Sequence, residues 1–136
     1  MKFKTNFITY LGIYRSIETE KLNIPTSEGR RTILSNHMPI MIPMGIGVIE
    51  TLEDGKLHHY IVNNGVLYFE NNVAEVVADN IVDVNEIDIE RSKNALVKYE
   101  EALRKARREN ERIRAQEKID IANVMIKAAE EYKDEL

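Results

Sequence analysis

LNIPTSEGRRTILSNHMP, residues 22–39, decides how the first part of this 136-residue chain is read. The residue before a proline is pushed out of the helical region, so Ile24-Pro25 must run extended. Ser27-Glu28-Gly29 then supplies turn chemistry and a position free to take positive φ. Arg31-Thr32-Ile33-Leu34 is a second strand feeding Ser35-Asn36-His37, and Pro39 closes the loop. A rigid polar segment on a strand scaffold is where a small domain presents a binding surface. The plainer reading, a hairpin with a solvated tip, stands beside it.

Outward from that stretch the flanks keep a two-residue period. Residues 2–10 alternate, with Phe3, Thr5, Phe7 and Thr9 on one face, Leu11-Gly12 turns the chain into Ile13-Tyr14, and residues 20–24 form a short strand. MPIMIPMGIGV, residues 38–48, is the most apolar run of the front half. Pro43, Gly45 and Gly47 forbid a helix, so the run is predicted to be buried strand and bend and to hold the core. Strands at residues 48–52 and 57–62 flank Asp54-Gly55, a strong two-residue hairpin signal. Asn63-Asn64-Gly65 repeats the turn device before residues 66–70, and Asn71-Asn72 repeats it before residues 73–78. Short strands spaced about ten residues apart indicate an antiparallel sandwich or flattened barrel.

Composition bounds the function. The chain has no cysteine, so disulfides, thiolate metal sites and cysteine nucleophiles are excluded. No run approaches the ~18 apolar residues of a membrane span, and the sequence reads as a soluble, cytoplasmic chain. A net charge of −4 argues against a nucleic-acid binder, whose phosphate contacts demand a basic excess. Residues 1–86 hold 7 Lys and Arg against 11 Asp and Glu, whereas residues 87–136 hold 12 of each. This break near Asn85 predicts two units, 1–85 and 86–136.

From Asp88 onward there is neither glycine nor proline, and the period becomes helical: Ala95, Tyr99, Ala102 and Ala106, with Leu96 and Leu103 beside them, then Ile121, Met125, Ala128 and Tyr132. Two helices joined near residues 108–112 would form an antiparallel hairpin. One long helix is the rival reading, since nothing in the joint strictly breaks a helix.

Candidate chemistry is sparse. His58 and His59 are adjacent on a strand and point to opposite faces, and His37 lies elsewhere, so no metal site is expected. No phosphate-cradling glycine pattern, nucleophile elbow or selectable acid–base pair is present, so no catalytic residue is assigned. Asp88, at the sheet-to-helix junction, is a natural N-cap, with Arg91 one turn on. The same carboxylate and guanidinium at a helix N-terminus also suit a nucleotide, and the residues leave both readings open. Arg104, Lys105, Arg107, Arg108, Arg112 and Arg114 put six cations into eleven positions. They read either as a solvated helix face or as a docking edge for an acidic partner.

In their order and spacing these segments resemble the epsilon subunit of the F-type rotary ATP synthase, called delta in mitochondria. Residues 24–29 and 32–39 are similar to the family's PTxxG…GILPGHxP, residues 44–48 to its LxxGxV step, and residues 61–66 to its VSGGF strand turn. Residues 73–79 are similar to its VTVLAD strand, and Ile87-Asp88-Ile89-Glu90-Arg91-Ser92 to its (I/L)DxxRA helix start. The chain departs from the family at Thr32, Ser35-Asn36, Asn64 and Ser92, where the family has Gly, Pro-Gly, Gly and Ala, so it resembles a divergent member.

The resemblance implies an all-β plus α fold: a ten-stranded β-sandwich followed by a two-helix hairpin. It implies a non-catalytic central-stalk subunit, peripheral on the cytoplasmic side of the cell membrane, coupling rotation to ATP synthesis. Its implied partners are the gamma subunit, the ring of c subunits, contacted through Arg30, Asn36 and His37, and the catalytic alpha and beta subunits. Arg104, Arg107, Arg108, Arg112 and Arg114 are the implied contacts to an acidic beta-subunit segment when the helices swing up to inhibit hydrolysis. Some bacterial members bind ATP through the motif's Asp and Arg, here Asp88 and Arg91, together with arginines that are Lys98, Ile121 and Met125 in this chain. ATP is therefore expected as a weak regulatory ligand or none, and no cofactor is implied. The alternative function is a stand-alone nucleotide- or ligand-sensing module with a helical lid, which would purify without gamma, alpha or beta chains.

Overall fold

The computed structural model describes residues 1–133. It divides into two compact units, Met1–Asp83 and one that begins at Val84. The first holds eight strands: β1 (Phe3–Thr9), β2 (Gly12–Thr19), β3 (Lys21–Thr26), β4 (Gly29–Leu34), β5 (Ile40–Met44), β6 (Gly47–Glu53), β7 (Lys56–Glu70) and β8 (Val73–Asp83). They run in the order β2-β1-β8-β7-β6-β3-β4, with β5 also paired to β7, and β1 lies parallel to β8. The end strands β2 and β4 do not pair, so the sheet folds over a shared core without closing.

Alternation builds that core. Phe3 and Phe7 of β1, Leu22 and Ile24 of β3, Ile33 of β4 and Ile49 of β6 all point inward and are buried. Each such side chain contributes roughly 1.5–3 kcal/mol on burial. Phe3 packs edge-on against Phe69, ring centroids 5.3 Å apart, and Phe7 lies 4.6 Å from the Tyr60 ring. Turn chemistry fixes the connections. Asp54 and Gly55 take φ of 52° and 78°, and Asn71 and Asn72 take 53° and 59°, the positive values that match the twist of hairpin strands.

Two expectations fail here. Asn63-Asn64-Gly65 is not a turn, because β7 runs through it. Asn64 takes φ 49°, and a Cβ on Gly65 would sit 2.8 Å from the Val77 carbonyl oxygen, so the pair bends the strand where β7 and β8 approach closely. The first half of β7 pairs with β6 and the second with β5. Counting the halves of the long strands β7 and β8 separately would give ten; as continuous strands there are eight. The apolar run at residues 38–48 is also not buried throughout. Ile42 and Met44 are core, but Met41 is 64 % exposed, since β5 alternates like any strand with one covered face, and Met38, in the segment before β5, is 70 % exposed.

The second unit is a 3-10 turn (Val84–Glu86) followed by α1 (Ile89–Lys105) and α2 (Glu109–Tyr132). The chain breaks between them at Ala106, so the hairpin, not the single helix, forms. In α1 the half-buried stripe is Ala95, Leu96, Tyr99 and Leu103, while Ala102, expected on it, is exposed. In α2 the buried residues are Ala115, Ile119, Ala122, Ala128 and Ala129, while Ile121, Met125 and Tyr132 are half-buried. Small residues there let the helix backbones approach. Lys93 pairs with Glu130 at 3.6 Å, and the Lys133 ammonium donates to the Ile87 carbonyl at 2.6 Å.

Candidate docking surface

The strand registers set five apolar residues in one row on the outward face of the sheet. Pro43 of β5 faces Val66 of β7, Val66 faces Val77 of β8, Val77 faces Ile8 of β1, and Ile8 faces Ile13 of β2. Residues directly opposite one another in a ladder share a face, so the row is continuous. At about 4.8 Å between strands it spans roughly 19 Å. Ile13 is 67 % and Val77 40 % exposed. The next row begins with Met41 opposite Tyr68, also uncovered, and continues into Glu75 and Asn6. Tyr10, Tyr68, Val77, Asn64 and Asp79 line a groove of about 570 Å³ along this face. Sequence reading missed the row because its members come from five separate strands.

The ring-contact residues inferred from sequence are not gathered in one tip. Arg30 is the second residue of β4 and His37 lies in the turn beyond its end, so the strand from Arg30 to Leu34, roughly 13 Å, lies between them. Arg30 has an internal task. The β3–β6 ladder ends at Asn23 and Glu50, short of Pro25, which has no N–H to offer β6. Beyond that end the Arg30 guanidinium donates to the Val48 carbonyl at 2.6 Å and to the Asn23 carbonyl at 3.2 Å, and its Nε donates to the Asn23 side chain. Asn36, at φ 66°, donates its backbone N–H to Asn72 Oδ1 at 2.7 Å. His37 Nδ1 donates to the Met38 carbonyl at 2.7 Å, and its ring stands edge-on to Phe69.

In the helical unit Asp88 is the N-cap of α1: its carboxylate accepts the Arg91 backbone N–H at 3.2 Å. The five arginines come together at the turn end of the hairpin, all exposed. Arg104 sits at the end of α1, 3.5 Å from Glu101, Arg107 and Arg108 lie in the link, and Arg112 and Arg114 occupy the first turns of α2. Among the described residues no three His, Cys, Asp or Glu side chains cluster as a metal site. His59 is buried instead against Glu50, 2.9 Å away, and Lys21 meets the other Glu50 oxygen at 3.1 Å. Burial opposes ionisation of Glu50, but these two contacts outweigh it and hold the carboxyl below its ordinary value.

Residues 2–84 match the family described as ATP synthase, Delta/Epsilon chain, beta-sandwich domain. The chain belongs to this family. The ATP synthase epsilon chain of Lactobacillus delbrueckii subsp. bulgaricus is 32% identical over 113 residues, covering 80% of this chain and 77% of that one. The ATP synthase epsilon chain of Caldicellulosiruptor bescii is 32% identical over 117 residues, covering 86% and 85%. A chain in the cryo-EM structure of the Euglena gracilis mitochondrial ATP synthase shares the fold, with a TM-score of 0.78 at 19% identity over 93% of this chain and 81% of that one. This delta/epsilon family member thus joins the family's β-sandwich to a two-helix hairpin, and no helix among its described residues is long and apolar enough to cross a membrane.

Proposed function

We propose that the chain works in the central stalk by docking its sheet face, row Pro43-Val66-Val77-Ile8-Ile13, onto the gamma subunit. The chain is an epsilon-type subunit of the F-type ATP synthase and a non-catalytic one. The single observation behind the docking is the uncovered apolar row, since contiguous apolar patches on a soluble domain mark interaction surfaces. A 19 Å row accommodates about 13 residues of a helix laid across the strands. The open edge of β4 then faces the c-ring, with Arg30, Asn36 and His37 shaping its two ends. Through these contacts the body couples ring rotation to ATP synthesis, peripheral on the cytoplasmic side of the cell membrane.

The arginine-rich end of the hairpin takes the acidic segment of a beta subunit and restrains hydrolysis. ATP is a weak ligand or none, because Asp88 is engaged as a cap and the phosphate-facing arginines of ATP-binding relatives are Lys98, Ile121 and Met125. Micromolar ATP affinity by calorimetry, lost in Arg91→Ala, would refute that. The docking is tested by measuring binding of the full chain to purified gamma subunit. Val77→Asp and Tyr68→Ser should each weaken it at least tenfold with unchanged melting temperatures. Wild-type binding by both variants would overturn the assignment.

A further inference from the structure

β8 is held unevenly. Residues Val73 to Val77 lie between β7 and β1, but the β1 ladder stops at Val77, and beyond Ala78 the strand has, among the described residues, a backbone strand partner only in β7. Side chains of the edge strand β2 take over on the open side. The Tyr14 hydroxyl accepts the Asp83 backbone N–H at 3.0 Å, in the place of a strand carbonyl. Arg15 Nη1 donates to the Asp83 carboxylate at 2.7 Å and to the Tyr60 hydroxyl at 3.4 Å. Tyr60 in turn donates to Glu53 of β6 at 2.9 Å. The guanidinium carbon lies 5.3 Å from the Tyr14 ring centroid and 5.5 Å from that of Tyr60. Charges therefore alternate along Asp83, Arg15 and Glu53, with Tyr60 and Asp83 both buried. Burial works against the Arg15 charge, but its two partners outweigh that and hold it above its ordinary value.

Asp83 is the last residue of the β body. We infer that Tyr14 and Arg15 form a clamp that fixes the root of the helical arm at Val84. With the clamp open, β8 frays back along its β7 ladder to Asn80, opposite the bend of β7, and the four residues 80–83 join the connection. At about 3.3 Å per residue this adds roughly 13 Å to the arm's reach. The clamp stands on β2–β8 geometry alone. Its regulatory meaning rests on the restraint of hydrolysis by the helical hairpin proposed above, so the two fail separately.

The test is amide hydrogen exchange by NMR on the full chain. In Arg15→Gln, the amides of Val82 and Asp83 should exchange at least tenfold faster, while those of Leu67 and Val76, deep in the same ladder, stay within twofold of wild type. Tyr14→Phe, which removes only the hydroxyl, should speed the Asp83 amide at least tenfold. Equal acceleration of all four amides would reduce the contacts to general stability and overturn the clamp, as would unchanged exchange at Val82 and Asp83. If exchange responds as expected but Arg15→Gln leaves hydrolysis by the assembled ATP synthase unchanged, the clamp stands and the regulatory reading of the arm fails.

Discussion

Gly47→Ala should weaken the β body out of proportion to the one methyl it adds. A Cβ built on Gly47 lies 2.6 Å from Pro25 Cγ and 2.7 Å from Pro25 Cβ, where ordinary contact begins at 3.4 Å. The pyrrolidine ring has no rotamer to swing away, so the β3–β4 hairpin must move by about 1 Å, and overpacking of this kind costs about 1–3 kcal/mol. The shift also draws Arg30 away from the Val48 carbonyl, so about 2 kcal/mol is expected in total. For a body of this size that lowers the melting temperature by roughly 10 °C. In urea the midpoint falls by about 1 M. Amide signals of Leu22 and Ile49 in the full chain report this body separately from the helices. Gly45→Ala is the control: its Cβ would meet nothing within 4 Å, so its stability should stay within about 0.5 kcal/mol. If both variants melt alike, or Gly47→Ala melts with wild type, the contact between Pro25 and β6 does not hold the hairpin.

Thr5→Val should stabilise the body by about 1–2 kcal/mol in urea titration, because the Thr5 hydroxyl is fully buried and lacks a hydrogen-bond partner among the described residues. Glu50 is held below its ordinary value near 4.5, so the folded state resists its protonation. The stability it adds is complete above about pH 4.5 and lost as pH falls through the lowered folded value. The gap in urea midpoint between wild type and Glu50→Gln should therefore be widest near pH 6 and close on acidification; a constant gap would contradict the pairing. Removing residues 84–136 should leave a folded body that still binds gamma subunit and should raise ATP hydrolysis by the assembled complex, read in a coupled ATPase assay.

By itself the sequence determined whatever depends on neighbours in the chain. Alternation placed Phe3 and Phe7 inward, Asp54-Gly55 and Asn71-Asn72 made their turns because those residues tolerate positive φ, and the 3.6-residue period announced the helices. The tertiary structure decided what depends on pairing. Asn63-Asn64-Gly65 carries the same turn signal, yet β5, β6 and β8 hold both halves of β7 in one ladder and convert the turn into a bend. Likewise, nothing local tells Arg30 that the β3–β6 ladder stops short of the Val48 carbonyl, or Arg15 that β8 has outrun β1. The row from Pro43 to Ile13 exists only once five strands are in register, and a slip of one residue would turn each member into the core.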